Sequence, residues 1–286
     1  MNKSLEIEGT PVFFRTLTLL FCIFLVSSCA SKKISNISYL KKSEALITSF
    51  PELNVFQTQT SENSPVVISI HGGYWTSGNK NIYSFLGRNF GKNKIVTVIP
   101  NYTLSPNGNY DTMAKEVAAA IHWTSDNIEK YNGNPDQIFL MGHSAGGHLI
   151  ALVGTNPKYL KNTDMIKGII LNDAAGLDMN SYLKKYSPTK NHNYNVTWTE
   201  NQENWKDASP IYSLSKKVPP FLMFTGIKTY PSIISQNKAF VQKLKTFQPN
   251  VKMNFLNKKH VPMMRQFLFP WNKNYKEIIR FIAANK

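Results

Sequence analysis

Cysteine and acidic residues are both scarce in this chain of 286 residues. Only two cysteines are present, Cys22 and Cys29, which excludes a framework of disulfides and a zinc site built from cysteines. The 17 aspartates and glutamates are outnumbered by 33 lysines and arginines, so the formal net charge is +16. The chain is 42% hydrophobic and 17% charged, which is typical of a globular protein, and its length suits one large domain.

The excess of positive charge raises nucleic acid or an anionic membrane surface as a possible partner. The lysines, however, are spread along the chain singly or in pairs, and no zinc-finger, RNP or helix-turn-helix pattern accompanies them. We therefore expect no nucleic-acid partner. A non-specific attraction to anionic surfaces is compatible with the charge.

The apolar run near the start of the chain is short. It follows Arg15 and extends over residues 17–26, too short to span a bilayer but suited to the hydrophobic region of a signal peptide. Residues 25–29, Leu-Val-Ser-Ser-Cys, resemble a bacterial lipobox, in which cleavage leaves a lipid-modified cysteine, here Cys29. We expect a lipoprotein signal peptide over 1–28, a polar tether over 29–45 and a lipid-anchored protein of the bacterial cell envelope, in the periplasm or at the outer membrane. An ordinary cleaved signal and an uncleaved anchor are the alternatives.

Short β-branched or apolar runs alternate with segments of helical periodicity from residue 66 onwards. The predicted strands are 66–70, 94–99, 137–141, 166–172, 221–224 and 251–256, and the predicted helices are 112–130 (capped by Asp111), 148–153, 232–247 and 275–284. This alternation predicts an α/β domain over 46–286 with a mostly parallel, doubly wound sheet and helices on both faces. Residues 40–65 are weakly patterned and form a lead-in with one edge strand. Residues 180–207 gain aromatics and lose periodicity, which indicates a small lid-like excursion.

One glycine-rich stretch lies between a predicted strand and a predicted helix. It reads Gly142-His143-Ser144-Ala145-Gly146, which is the G-x-S-x-G pattern of a nucleophile elbow in the strand–turn–helix context that such an elbow requires. The glycines allow the tight turn that exposes the Ser144 hydroxyl. The first N–H groups of the helix, starting with Ala145, then point towards an anion that forms on the substrate.

A second motif, His71-Gly72-Gly73-Tyr74-Trp75, directly follows the predicted strand 66–70. Together the two motifs resemble the α/β-hydrolase family, specifically the H-G-G-containing esterase branch. That branch includes hormone-sensitive-lipase-like carboxylesterases, kynurenine formamidases and feruloyl or acetyl esterases. The resemblance covers about residues 60–285, with supporting similarity at 101–106 and around 208–222, and it implies the α/β-hydrolase fold.

The resemblance also implies roles for particular residues. Ser144 would be the nucleophile, and His260, which follows the last predicted strand, would be its base. The backbone N–H groups of Gly73, Tyr74 and Ala145 would form an oxyanion hole, because adjacent glycines let the backbone approach the substrate closely.

The acid of the triad is where this sequence departs from the family. The family places it a few residues after the strand that ends at Gly226, but Thr229 stands there, and residues 208–276 contain neither aspartate nor glutamate. Pancreatic-type lipases place their acid after the preceding strand, so our choice is Asp178. Asp173, or a Ser–His dyad assisted by Thr229 or a carbonyl, are the alternatives.

These features predict a carboxylesterase-like serine hydrolase that cleaves a small ester or amide through an acyl-enzyme on Ser144. We expect the reaction to use neither a metal ion nor a cofactor. The alternative is a catalytically weak or inactive lipoprotein of the same fold with a ligand- or partner-binding role. The absence of an acid after Gly226 favours this alternative, whereas the elbow, the H-G-G loop and His260 oppose it.

Overall fold

The computed structural model describes residues 31–40, 51–59 and 63–286. In these residues eight strands form one sheet with the order β1-β2-β4-β3-β5-β6-β7-β8. The strands are β1 (Ser31–Ser38), β2 (Glu52–Thr58), β3 (Ser64–Ile70), β4 (Val96–Pro100), β5 (Gly133–His143), β6 (Ile166–Asn172), β7 (Phe221–Gly226) and β8 (Met253–Leu256). The strands from β3 onwards pair in parallel, whereas β2 is antiparallel to both β1 and β4.

Helices cover both faces of this sheet. They are α1 (Ser84–Gly91), α2 (Tyr110–Asn127), α3 (Ala145–Thr155), α4 (Met179–Lys185), α5 (Tyr194–Thr197), α6 (Gln202–Asp207), α7 (Pro231–Leu244), α8 (His260–Arg265) and α9 (Lys273–Ala284). Side chains of one strand alternate between two cores: Val66 and Ile68 join the core that includes α2, and Val67 joins the core that includes α1 and α9. The predicted doubly wound α/β fold is confirmed.

The lead-in of the chain differs from the prediction. Residues 31–38, which we expected within a polar tether, form β1 at the edge of the sheet, and β2 is therefore an interior strand. An edge strand needs few apolar contacts, and β1 provides Ile34 opposite Val55 of β2. The buried Tyr39 that follows β1 donates its hydroxyl to the Asn101 carbonyl at 2.7 Å. The predicted signal peptide and Cys29 lie outside the described residues.

The sequence pattern predicted where the long helices lie, but it did not predict the residues at which they begin and end. Helix α2 begins at Tyr110 and is capped by Asn109, whose side chain accepts the Thr112 N–H, whereas Asp111 pairs with Lys115 and Lys158 instead of capping. Helices α1 and α8 were not predicted, because each is short. No helix among the described residues is long and apolar enough to cross a membrane.

The expected excursion contains α4, α5 and α6. Its fully buried Trp198 packs edge-on against Trp75 of the H-G-G loop, with ring centroids 4.7 Å apart, and against His148 of α3 at 5.3 Å. The excursion thus covers the part of the sheet edge that carries the two motifs.

Candidate active site

Ser144 lies between β5 and α3 in a strained turn. Its backbone has φ 55° and ψ −121°, a region that residues with a side chain rarely adopt. The two motif glycines make room for this turn: a Cβ on Gly146 would lie 2.1 Å from the Ile70 carbonyl oxygen, and one on Gly142 would lie 2.5 Å from the Gly146 carbonyl carbon. The sequence therefore builds the elbow as predicted, with its hydroxyl at the carboxyl edge of the sheet.

His260, the first residue of α8, meets this serine. Its Nε2 is 2.8 Å from Ser144 Oγ, a distance at which it can accept the hydroxyl proton. The ring of His143 stacks on the ring of His260 at 4.7 Å, and His143 Nε2 is 3.2 Å from the His260 carbonyl oxygen. The structure brings the two residues together as the sequence indicated, and it adds His143 as a neighbour that sequence reasoning did not assign.

Asp173 is the carboxylate that contacts His260. Its Oδ2 is 2.6 Å from His260 Nδ1, and the side chain is fully buried. The same oxygen accepts the Thr229 hydroxyl at 2.5 Å, and Oδ1 accepts the Gly226 N–H at 2.9 Å. Ser144, His260 and Asp173 therefore form one continuous chain of hydrogen bonds.

Our choice of Asp178 as the acid is corrected by this geometry. Asp178 caps α4, where its Oδ1 accepts the Ser181 N–H at 3.0 Å, and it makes no contact with His260 among the described residues. Asp173 is favoured by its place in the sheet, since β5 and β6 pair His143 with Asn172. Asp173, the residue after Asn172, therefore emerges beside Ser144, the residue after His143.

The H-G-G loop approaches the elbow with an unusual backbone. Gly73, Tyr74 and Trp75 have φ values of 135°, 52° and 59°. The Trp75 indole donates to His148 Nδ1 at 3.2 Å, which fixes the loop against α3. Within the described part of the chain, no group accepts a hydrogen bond from the N–H of Gly73, Tyr74 or Ala145, so the three predicted donors are available to a ligand.

Three other histidines surround the site in neutral form. Burial lowers the pKa of His143 to about 3, with the nearby His260 adding to this effect, and burial lowers the pKa of His71 and His148 to about 4. These three rings therefore add no positive charge near His260 at neutral pH.

The site opens into a cavity of about 330 Å³. Aromatic side chains of the H-G-G loop, the excursion and the Thr229 loop line it: Tyr74, Trp75, Tyr182, Tyr186, His192, Tyr194 and Tyr230. Tyr74 stacks on His192 at 4.7 Å and shares a hydrogen bond of 2.8 Å with the Tyr230 hydroxyl. Burial and this hydrogen bond raise the pKa of Tyr74 to about 12. Aspartate, glutamate, lysine and arginine are all absent from the described lining.

His143, Asp173 and His260 are also the residues that could hold a metal ion, since one ligand atom from each lies within 4.8 Å of the others. Their nitrogen and oxygen atoms are already joined by hydrogen bonds to one another and to Ser144. A metal ion would have to displace these bonds, so the donor set fits a proton-transfer chain better than a metal centre.

The chain is similar in sequence to curated esterases. It is 26% identical over 196 residues to esterase LipC of Mycobacterium tuberculosis, covering 64% of this chain and 48% of the relative. It is 27% identical over 197 residues to the isoprenylcysteine alpha-carbonyl methylesterase ICME of Arabidopsis thaliana, covering 63% and 46%. The chain thus matches less than half the length of these curated relatives.

Solved structures share the fold. Esterase B from Lactobacillus rhamnosis superposes with a TM-score of 0.73 over 95% of this chain and 92% of that one, at 16% sequence identity. A family model described as BD-FAE matches residues 53–244. This match spans more than half of the sequence, and the protein therefore belongs to the BD-FAE family and has the α/β-hydrolase fold.

Proposed function

We propose that this protein is a serine hydrolase that cleaves a small, uncharged carboxylic ester through an acyl-enzyme on Ser144. The observation that carries the proposal is the chain of hydrogen bonds from Ser144 Oγ through His260 to the buried Asp173 carboxylate. This is the arrangement in which a weakly nucleophilic hydroxyl gains a base, and the base gains a group that fixes its orientation.

In the first half of the reaction, Ser144 Oγ attacks the ester carbonyl carbon and passes its proton to His260 Nε2. Asp173 accepts a hydrogen bond from the Nδ1–H of His260 and stabilises the imidazolium that forms. The protonated His260 then donates this proton to the departing alcohol as the tetrahedral intermediate collapses to the acyl-enzyme. In the second half, His260 takes a proton from water, the hydroxide attacks the acyl carbon, and Ser144 is released with its proton restored.

The tetrahedral intermediates of both halves carry a negative charge on the former carbonyl oxygen. The N–H groups of Gly73, Tyr74 and Ala145, which have no acceptor among the described residues, are the donors for this oxygen. Removal of one such donor typically lowers kcat about 100- to 1,000-fold. The positive φ values of Gly73 and Tyr74 show that this part of the loop has the unusual backbone that adjacent glycines allow.

The cavity supports a small and uncharged substrate. A volume of about 330 Å³ is at the lower end of small-molecule sites, and its described lining holds no carboxylate, ammonium or guanidinium group. Its aromatic walls favour an apolar or aromatic acyl or alcohol group. The esterase names of the two relatives described above support an ester substrate.

Labelling with a fluorophosphonate tests the proposal directly. We expect the full chain to be labelled rapidly, and Ser144→Ala and His260→Ala each to abolish labelling. Ser232→Ala is the matched control, since Ser232 also lines the cavity but has no imidazole beside it among its described contacts. Unlabelled wild-type protein would contradict catalysis and favour the alternative of a binding role within the same fold.

We further propose that a lipid on Cys29 anchors the chain in the bacterial cell envelope, in the periplasm or at the outer membrane. The proposal is supported by the short apolar run 17–26 and the lipobox-like residues 25–29. Cys29→Ala is expected to move the protein from the membrane fraction to the soluble fraction, measured by detergent phase partition. Cys22→Ala serves as the control, and unchanged membrane retention in Cys29→Ala would contradict the anchor.

A further inference from the structure

Thr229 lies beside the Asp173–His260 pair but does not line the substrate cavity. Its Oγ1 is 2.5 Å from Asp173 Oδ2 and 3.3 Å from His260 Nδ1. The segment is held in place, because the Lys228 N–H donates to the Lys258 carbonyl at 3.1 Å, two residues before His260. Thr229 therefore has a fixed position relative to both the acid and the base.

The direction of the hydrogen bonds follows from the chemistry of the groups. An ionised carboxylate only accepts, so the Thr229 hydroxyl donates its single proton to Asp173 Oδ2. His260 Nδ1–H donates to the same oxygen, and the Gly226 N–H donates to Oδ1. Two of the three donors, Gly226 and Thr229, come from the end of β7 and the loop after it, so this segment orients an acid that β6 supplies.

We propose that Thr229 is a positioning residue for Asp173. The inference rests on the proposed function of the site. It follows from the shared oxygen, because without the Thr229 hydroxyl the carboxylate is held by Gly226 and His260 alone.

Two substitutions of Thr229 distinguish a role in positioning Asp173 from a role in stabilising the fold. Thr229→Val removes the hydroxyl at nearly constant volume, and we expect kcat to fall about 10- to 100-fold with KM unchanged, which corresponds to the loss of one hydrogen bond to a charged group. Thr229→Ser keeps the hydroxyl and should stay within a few-fold of the wild type. Thr225→Val is the matched control, since the buried Thr225 hydroxyl has no partner among the described side chains.

A double variant tests whether Thr229 acts through Asp173. Asp173→Asn alone should lower kcat about 10,000-fold. We expect Asp173→Asn/Thr229→Val to lose little beyond Asp173→Asn alone, measured as p-nitrophenyl butyrate hydrolysis by the full chain. If Thr229→Val does not fold, Thr229→Ala removes the hydroxyl without placing a second methyl group beside the buried carboxylate.

The results that would overturn the role of Thr229 differ from the results that would overturn the proposed function. An active wild type with Thr229→Val at full kcat, or with a change in KM alone, would overturn the positioning role. A further loss of tenfold or more in the double variant, relative to Asp173→Asn alone, would show that Thr229 does not act through Asp173 and would also overturn it. A wild type without hydrolysis or fluorophosphonate labelling would instead overturn the serine-hydrolase proposal itself.

Discussion

Asp173→Asn is the change that tests the geometry of the site most directly. The carboxylate accepts three hydrogen bonds, from His260 Nδ1, Thr229 Oγ1 and the Gly226 N–H, at 2.6, 2.5 and 2.9 Å. In the amide, Oδ1 stays with the Gly226 N–H, which can only donate, so the NH₂ group faces Thr229 and His260. This NH₂ donates to Nδ1 and leaves the imidazole proton on Nε2.

A histidine with its proton on Nε2 cannot accept the proton of Ser144. We therefore expect kcat for p-nitrophenyl butyrate to fall about 10,000-fold, or about 5 kcal/mol in transition-state stabilisation. The fold should survive, because the substitution keeps the size of a fully buried side chain and replaces a charge with a neutral group. Circular dichroism and urea unfolding check this point.

Asp178→Asn is the matched control for this experiment. Asp178 caps α4 through the Ser181 N–H, and asparagine caps helices about as well as aspartate. We expect kcat and the free energy of unfolding to stay close to the wild type. Equal loss of kcat in both variants, or an Asp173→Asn enzyme within tenfold of the wild type, would refute the assignment of Asp173 as the acid.

Three further predictions concern stability and the oxyanion loop. Acidification from pH 7.5 to 5.0 should lower the free energy of unfolding by about 2 kcal/mol for each buried histidine whose pKa is about 4, because the unfolded state takes up protons below about pH 6.5 and the folded state does not. In urea unfolding, this loss should be smaller for His148→Gln than for the wild type. A loss in His148→Gln as large as in His122→Gln, the control at an exposed histidine, would contradict this cause. Gly146→Ala should destabilise the fold by about 3 kcal/mol or abolish soluble expression, since its Cβ would lie 2.1 Å from the Ile70 carbonyl oxygen; an unchanged melting temperature would show that the elbow relaxes. Tyr74→Phe should keep kcat within about threefold, because the proposed oxyanion donor is the backbone N–H rather than the hydroxyl; a loss of 100-fold would assign the chemistry to the side chain.

The sequence was enough to find the elbow and His260, its proposed base. Gly142 and Gly146 stand on either side of Ser144 because the turn has no room for a Cβ at either place, and this steric demand is visible in five consecutive residues. The resemblance implied His260 as the base, and the alternating α/β pattern made it identifiable as the histidine that follows the last predicted strand. The H-G-G loop was recognisable for the same reason, since a strand directly precedes it.

The sequence by itself thus determined the fold class, the elbow, the H-G-G loop and the histidine, all of which depend on short-range sterics and on the alternation of strands and helices. Only the tertiary structure decided which carboxylate completes the site. Asp173 and Asp178 lie five residues apart after the same strand, and no local pattern separates them. Asp173 reaches His260 because parallel pairing of β5 with β6 places it beside Ser144 and because β7 directs Gly226 and Thr229 at its oxygens. Such contacts join residues 53 to 87 positions apart, so they arise from strand register and not from sequence order.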